Sequence, residues 1–415
     1  HHIHNENHSH YGYDVAMEWS NRVLDTDVCI AGAGPHGLSA ALLFKKIDPS
    51  ISVTVIDHSN EWLAAWNRQF ERAEITTLRS PNVHHPYPDP FALEDFRIRK
   101  GFLPSGLPYN PPTTECFSAF CAEIIDDAGL DKPLIAVPQL VQSGQNGIEL
   151  ITSSGVIRTR YLIIATNPHE KIIPKWTRDL FQEPNLVKHA LDVNLLDLPN
   201  LEGQSITVVG GGMTAAHLSR GAVLKGASVK MISRRPLQIR DFDTDPGWLG
   251  PKYLSDYYSE TDAQERIQLA REARGGGSIP PWIHNSLLDL SNTDSIEILE
   301  STEVISAQSE SSKGCLLKLK NEKEVFSDQV WLATGTCSSL QSMECLRPIL
   351  ENVSFIDGFP LVDRSLRLEP HSVYVMGRCA TFALGPAAGN LWGATRAANR
   401  ITRDITGVEL VSNGT

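Results

Sequence analysis

The sequence predicts an α/β chain made of two parallel-sheet units, the second inserted into the first. Three observations carry that expectation. Two glycine-rich turns, at residues 32–37 and 210–215, each join an apolar strand to a helical stretch. Two other apolar runs, 161–164 and 330–332, both end in Ala-Thr, where a chain can pass between neighbouring sheets. A late strand at 373–376 runs into Gly377-Arg378, and a closing helix follows from about residue 391 to 403.

Composition narrows the class. The 415 residues suffice for two or three domains at roughly 150 residues each. With 41% apolar and 21% charged residues there is ample material for buried cores. The net charge of -12 and the lack of a long basic run argue against a nucleic-acid partner. Seven cysteines, an odd number without a C-x-x-C pair, argue against a disulfide scaffold, a zinc ribbon and a dithiol redox centre. No metal site is expected. No apolar stretch approaches the 18 or so residues of a membrane span, and no signal-peptide pattern opens the chain. A cytoplasmic protein with no membrane partner is the expectation. His1, His2, His4, His8 and His10 crowd the start, so residues 1–20 read as a tag or disordered tail.

The first motif begins with the strand 27–31 (DVCIA). Gly32-Ala33-Gly34-Pro35-His36-Gly37 follows, then a helical stretch at 38–46 and a second strand at 52–56, with Asp57 at its end. Gly32 permits the tight turn, Gly34 lets backbone approach a pyrophosphate, and Gly37 allows close helix–strand packing. The helix start offers N–H groups to phosphate, and Asp57 can accept from a ribose hydroxyl. An acid in this position suits FAD.

The second motif has a different ending. The strand 205–209 (SITVV) leads into Gly210-Gly211-Gly212-Met213-Thr214-Ala215, the G-x-G-x-x-A variant, which opens a helix to about Lys225. The next strand, 228–232, ends in Ser233-Arg234-Arg235 instead of an acid. Guanidinium and hydroxyl groups would hold a 2′-phosphate that a carboxylate would repel, so this site reads as NADPH-binding.

Both units are thus Rossmann-like dinucleotide-binding domains. The FAD domain is expected to be discontinuous, 22–200 and 336–405, with the NADPH domain at 201–335. Within the former, 168–204 carries four prolines and reads as a linker. The segment 241–290 is too long for a simple Rossmann connection. It holds Trp248, Tyr253, Tyr257, Tyr258 and Trp282, with a charged helical pattern at 263–274 that reads as a solvated surface helix, and the hinge-like Gly275-Gly276-Gly277. Trp248 and Tyr253 are the candidates for lining a substrate pocket. Asp241, Asp243 and Asp245 could attract an ammonium group, although three acids in a loop are usually solvated. Near the C-terminus, Gly385-Pro386-Ala387-Ala388-Gly389-Asn390 leads into the last helix, whose start could face the flavin. Cys116 and Cys121 fall on a helical stretch and read as core.

With both fingerprints and the C-terminal glycine-to-helix pattern in place, the chain resembles the class B flavoprotein monooxygenases over roughly residues 24–404. The likeness is greatest to the branch holding flavin-containing monooxygenases and lysine/ornithine N-hydroxylases. The stretch 77–86 (TLRSPNVHHP) is similar to the segment that lies along the flavin in this branch, which nominates Arg79, Ser80 and His84 beside Gly377, Gly389 and Asn390 as FAD neighbours. Val187-Lys188-His189-Ala190 resembles part of the family's linker motif. Its full F-x-G-x-x-x-H spacing is absent, and Arg378 stands where many relatives have Asp. The resemblance implies that NADPH reduces FAD and that O₂ gives a C4a-(hydro)peroxyflavin. That species would oxygenate a heteroatom of a small molecule, as in amine N-hydroxylation. Baeyer–Villiger insertion or halogenation by the same species, an NADPH-dependent flavoprotein reductase, and a non-catalytic nucleotide sensor are the alternatives. No catalytic side chain is nominated, because the hard chemistry belongs to the cofactor.

Overall fold

The apolar run at 27–31 forms the second half of a longer strand, β1 (Val23–Ala31), in a computed structural model describing residues 23–183, 185–310 and 313–410. The expected tail at 1–20, and Pro184 of the expected linker, lie outside those residues. β1 passes through the first glycine turn into α1 (Pro35–Ile47) and returns as β2 (Val53–Asp57). Helices α2 (Ala64–Arg72), α3 (Ala92–Lys100) and α4 (Thr114–Asp127) follow. Then come β3 (Leu134–Ile135), β4 (Pro138–Gly144), β5 (Gly147–Thr152) and β6 (Gly155–Ile164). The first sheet has the order β3-β2-β1-β6-β5-β4. β1 lies between two parallel neighbours, β2 and β6, which is why Val28 to Ile30 form an unbroken, fully buried apolar run.

α4 shows how local chemistry and packing agree. Thr113 caps it by accepting from the Cys116 N–H, and Cys116, Phe117, Phe120, Cys121 and Ile124 make one buried face against Leu38 and Leu42 of α1. Both cysteines are core, and burial pushes the Cys116 thiol up to about 11.

After β6 the chain crosses through β7 (His169–Lys171) and β8 (Val187–His189) to β9 (Ser205–Val209), the second glycine turn, α5 (Met213–Leu224) and β10 (Ser228–Ile232). α6 (Pro251–Ser259), α7 (Ala263–Arg274) and α8 (Pro281–Ser291) precede β11 (Ile296–Leu299). A meander of β12 (Val304–Ser309), β13 (Cys315–Leu319) and β14 (Glu324–Ser327) leads to β15 (Gln329–Leu332). The second sheet is wholly parallel, in the order β11-β10-β9-β15-β8.

The stretch 168–204 is therefore more than a linker. It supplies β8 as an edge strand, held because Val187 and His189 are buried and the His189 ring meets the Gly335 carbonyl at 2.9 Å. α7 also departs from a solvated helix, since Ile267 and Ala270 are buried.

The chain returns through β16 (Thr336–Ser338), which pairs antiparallel with β7, so the outgoing and returning segments form one ribbon. A hairpin of β17 (Phe355–Ile356) and β18 (Phe359–Pro360) precedes β19 (Val373–Val375), which joins the first sheet parallel to β6. α9 (Leu391–Thr406) closes the unit against α1. No helix among the described residues is long and apolar enough to cross a membrane.

Candidate active site

The first glycine turn sits at the carboxyl end of β1. Gly32 has φ +116°, and a side chain there would press on the Ala165 carbonyl. A Cβ on Gly37 would overlap the Gly32 carbonyl oxygen, so the helix can approach the strand only without one. Gly34 is different: a Cβ there would meet nothing within 4 Å. It is the N-cap of α1 without a side-chain cap, and Pro35 opens the first turn, so the helix start faces that open space with donors that have no helical partner. Asp57 lies alongside, with one carboxylate oxygen 3.4 Å from the Ala33 nitrogen and the other accepting from Ser59 N–H at 3.1 Å.

The C-terminal loop meets this turn through His36. Its Nε2 lies 3.2 Å from the Gly389 carbonyl, whereas its Nδ1 is buried without a partner, as is Oδ1 of Asn167 just past β6. Burial pushes His36 down to about 4 and keeps it neutral. Gly377 follows β19 at the same sheet edge. The side chain of Arg378 turns away to Thr336, donating to its hydroxyl at 3.0 Å and its carbonyl at 3.2 Å. Its stem lies where a Cβ on Gly389 would be. An open cradle at a helix start, an acid beside it and two orphaned polar atoms fit an FAD-sized dinucleotide.

The second turn has the same frame with a different cover. Gly212 is the N-cap of α5, with Met213, Thr214 and Ala215 in its first turn. Gly210 adopts φ +146° and rests on the Ala333 carbonyl. A Cβ on Gly212, however, would sit 3.3 Å from the Cα of Gly277, so the triglycine segment lies across this turn. Ser233 is buried, and its hydroxyl donates to the Arg235 carbonyl at 2.7 Å, shaping the turn. Arg234 is exposed, and Arg235 donates to the Gly275 carbonyl at 3.1 Å. The two guanidinium groups fit a 2′-phosphate; the serine hydroxyl is already engaged.

Between the turns, side chains tie the units together. Arg79 donates to the carbonyls of Arg240, Asp241 and Ser278 and to the Ser278 hydroxyl, at 2.7–3.2 Å. Burial lowers its guanidinium to about 10 despite the nearby Asp243. Arg79 is thus a clasp between the loop after α2 and the second unit. Asp243 accepts from Asn390 at 3.0 Å and pairs with Arg274 at 3.3 Å, and Arg274 also donates to the Pro386 carbonyl. Of the three acids expected in solvent, Asp243 is engaged across the crevice, and Asp245 accepts from Gly247 N–H at 2.8 Å.

The loop after Arg79 carries Ser80 and His84, both half-buried. Burial, then the charge of Arg396, pushes His84 down to about 4. His85 has both ring nitrogens engaged by backbone, with the Pro90 carbonyl and the Tyr87 N–H, and so is a packing residue. Trp248 packs on Tyr253 and Tyr257, with centroids at 5.4 and 5.9 Å. Tyr257 donates to the carbonyls of Thr381 and Phe382, and Trp392 donates to that of Leu249. The aromatic segment is a clamp on the end of the first unit, with Trp248 and Tyr253 on its half-buried side. Arg274, Thr336 and the engaged roles of Asp243 and Arg378 carry no signal in the sequence, because their partners lie far along the chain.

Comparison with known proteins follows this geometry. Residues 29–274 match the family model described as pyridine nucleotide-disulphide oxidoreductase. Among solved structures, the FAD-bound cadaverine monooxygenase of desferrioxamine biosynthesis from Erwinia amylovora is similar over 95% of this chain and 98% of that one, at 17% identity and TM-score 0.76. The ornithine N-hydroxylase from Kutzneria sp. 744, solved with reduced FAD, NADP⁺ and L-ornithine, is similar over 92% and 99%, at 15% identity and TM-score 0.75. A bacillithiol disulfide reductase from Staphylococcus aureus is similar over 92% and 99%, at 16% identity and TM-score 0.61. Comparison with curated protein sequences gives no significant match. At these identities the likeness shows the fold, one that two monooxygenases and a disulfide reductase share.

Proposed function

The chain belongs to the pyridine nucleotide-disulphide oxidoreductase family, and from that premise we propose that it is an FAD- and NADPH-dependent monooxygenase that oxygenates a heteroatom of a small molecule, with amine N-hydroxylation as the reaction. The single observation that carries the reading is the pairing of the open Gly34 cradle beside Asp57 with a second glycine turn flanked by Arg234 and Arg235. One turn suits a flavin dinucleotide and the other a 2′-phosphorylated coenzyme. No C-x-x-C pair occurs among the seven cysteines, which weighs against a dithiol relay and so against a disulfide reductase of that kind.

Bound flavin, reduced by NADPH, supplies the activation of O₂. The chain does the rest. The first turn of α1 and Asp57 hold the flavin nucleotide by its pyrophosphate and ribose. Arg234 and Arg235 hold the coenzyme by its 2′-phosphate. Arg79 and the Asp243–Asn390 contact tie the two units together, and would hold two bound nucleotides at one fixed spacing. Trp248 and Tyr253 would line the substrate side of that seam and shield it from water, and His84, held neutral, would add no charge there.

The test is a product search. Purified protein with NADPH, O₂ and a pool of amines and amino acids should yield a product 16 mass units heavier, one per NADPH consumed in the coupled reaction. NADPH oxidation that proceeds equally without O₂, in step with reduction of an added disulfide, would replace this reading with the reductase. Absence of NADPH consumption with any acceptor would replace it with the sensor.

A further inference from the structure

The carboxyl edge of the first sheet carries one polar side chain that nothing else in the fold uses. Asn167 follows β6 in the left-handed region, φ +51°, a conformation asparagine tolerates better than most residues. That turn sends the chain into β7 and leaves the side-chain amide beside Gly377. A Cβ on Gly377 would lie 3.4 Å from Asn167 Oδ1. Gly377 itself has φ +73°, so neither position is ordinary backbone. Oδ1 is buried and has no hydrogen-bond partner. A buried carbonyl oxygen without a donor is costly, and proteins rarely keep one unless something else supplies the donor.

The neighbours do not fill that need. Arg378, the next residue after Gly377, has its guanidinium on Thr336. Asp57, also an acceptor at this edge, already receives the Ala33 and Ser59 N–H groups. The edge that begins with the Gly34 cradle therefore keeps two unsatisfied atoms, His36 Nδ1 and Asn167 Oδ1, and the second is the one beside Gly377. We propose that the amide of Asn167 binds a hydroxyl of the flavin dinucleotide's sugar chain, making Asn167 a cofactor-anchoring residue. This rests on the FAD reading above.

Binding of FAD to flavin-stripped protein, followed by calorimetry and by quenching of flavin fluorescence, tests it. Asn167→Gly removes the amide but keeps the left-handed backbone, so folding should be preserved, as thermal unfolding without FAD will report. Its FAD Kd should rise about tenfold, close to 1.4 kcal/mol. Asn167→Asp keeps an acceptor in place and should bind FAD more tightly than the glycine variant. NADP⁺ affinity should be the same in all three proteins. A glycine variant that binds FAD as the native protein does would overturn the proposal, as would an aspartate variant weaker than the glycine one. Native protein that binds no FAD at all would instead overturn the FAD reading on which the proposal rests.

Discussion

Gly34→Val should separate folding from cofactor retention. Gly34 has φ −83° and ψ −170°, an extended conformation open to any L-residue and favoured by β-branched ones. A Cβ there meets no protein atom within 4 Å. Losing glycine at a helix N-cap costs up to about 1 kcal/mol, and the stiffer unfolded chain offsets roughly 0.4–1 kcal/mol of it. The apo-protein should therefore unfold within a few degrees of native, at the usual scale of about 2–4 °C per kcal/mol for large domains. The isopropyl group would project into the space where the pyrophosphate must approach. FAD affinity should fall at least ~100-fold, or ~2.7 kcal/mol. Gly37→Ala is the internal control with the opposite signature. Its methyl would overlap the Gly32 carbonyl oxygen, a backbone atom that cannot rotate away, and should cost about 3 kcal/mol or more of stability. Calorimetric Tm without FAD, paired with FAD titration of the stripped protein, reads both effects. A folded Gly34→Val protein whose FAD Kd stays within about threefold of native would refute the reasoning.

Two further outcomes follow from the same geometry. NADPH should be preferred over NADH in kcat/KM by about tenfold, the return from one charge-assisted phosphate contact of roughly 1.5–3 kcal/mol, and Arg234→Ala should erode that ratio through the KM for NADPH alone; equal use of both coenzymes by the native protein would contradict it. Burial lowers His36, His84, His85 and His217 to about 4, so each is neutral in the fold but takes up a proton when unfolded below about 6.5. The unfolded state binds more protons in that window, so stability is full above pH 6.5, falls from there towards pH 4, and levels off below. Urea midpoints measured from pH 7 to pH 5 should drop steadily; a flat profile would mean these rings are not held neutral.

The parts of this molecule that could be read from the sequence are those whose constraint is local. Gly37 is required by the Gly32 carbonyl within its own strand-turn-helix unit, and the glycine spacing around it announces the turn, although Gly32 and Gly210 are themselves pressed by the distant Ala165 and Ala333 carbonyls. The tyrosines and tryptophans of 241–290 announce a packing surface but not its partner. The partner, residues 381–392, lies more than 100 positions away and is fixed by how the two units meet. The same holds for Arg79, whose acceptors on Arg240, Asp241 and Ser278 lie 161 to 199 positions along the chain. Ser233 shows the limit from the other side. Its position at the end of β10 suggested a phosphate ligand, but the turn that exposes Arg234 consumes its hydroxyl. Residues 187–189 look like linker because three residues are too few to show a strand period, and only β15 beside them makes the edge.

The ribbon of β7 and β16 has a bearing on modularity. Lys171 stands directly opposite Thr336, and paired residues of an antiparallel ladder lie only about 4.5–5.5 Å apart. A tight turn would therefore splice one to the other and excise the second sheet whole, leaving the path of the first unbroken. What forbids the excision is lateral. Trp392 and Ala387 would lose their cover, the carbonyls of Thr381 and Phe382 their donor, and Arg79 all four acceptors. The second half is a cassette by topology and a welded part by chemistry. A graft from a relative would have to bring 241–290 and 381–392 together, because the seam between the halves is written in both.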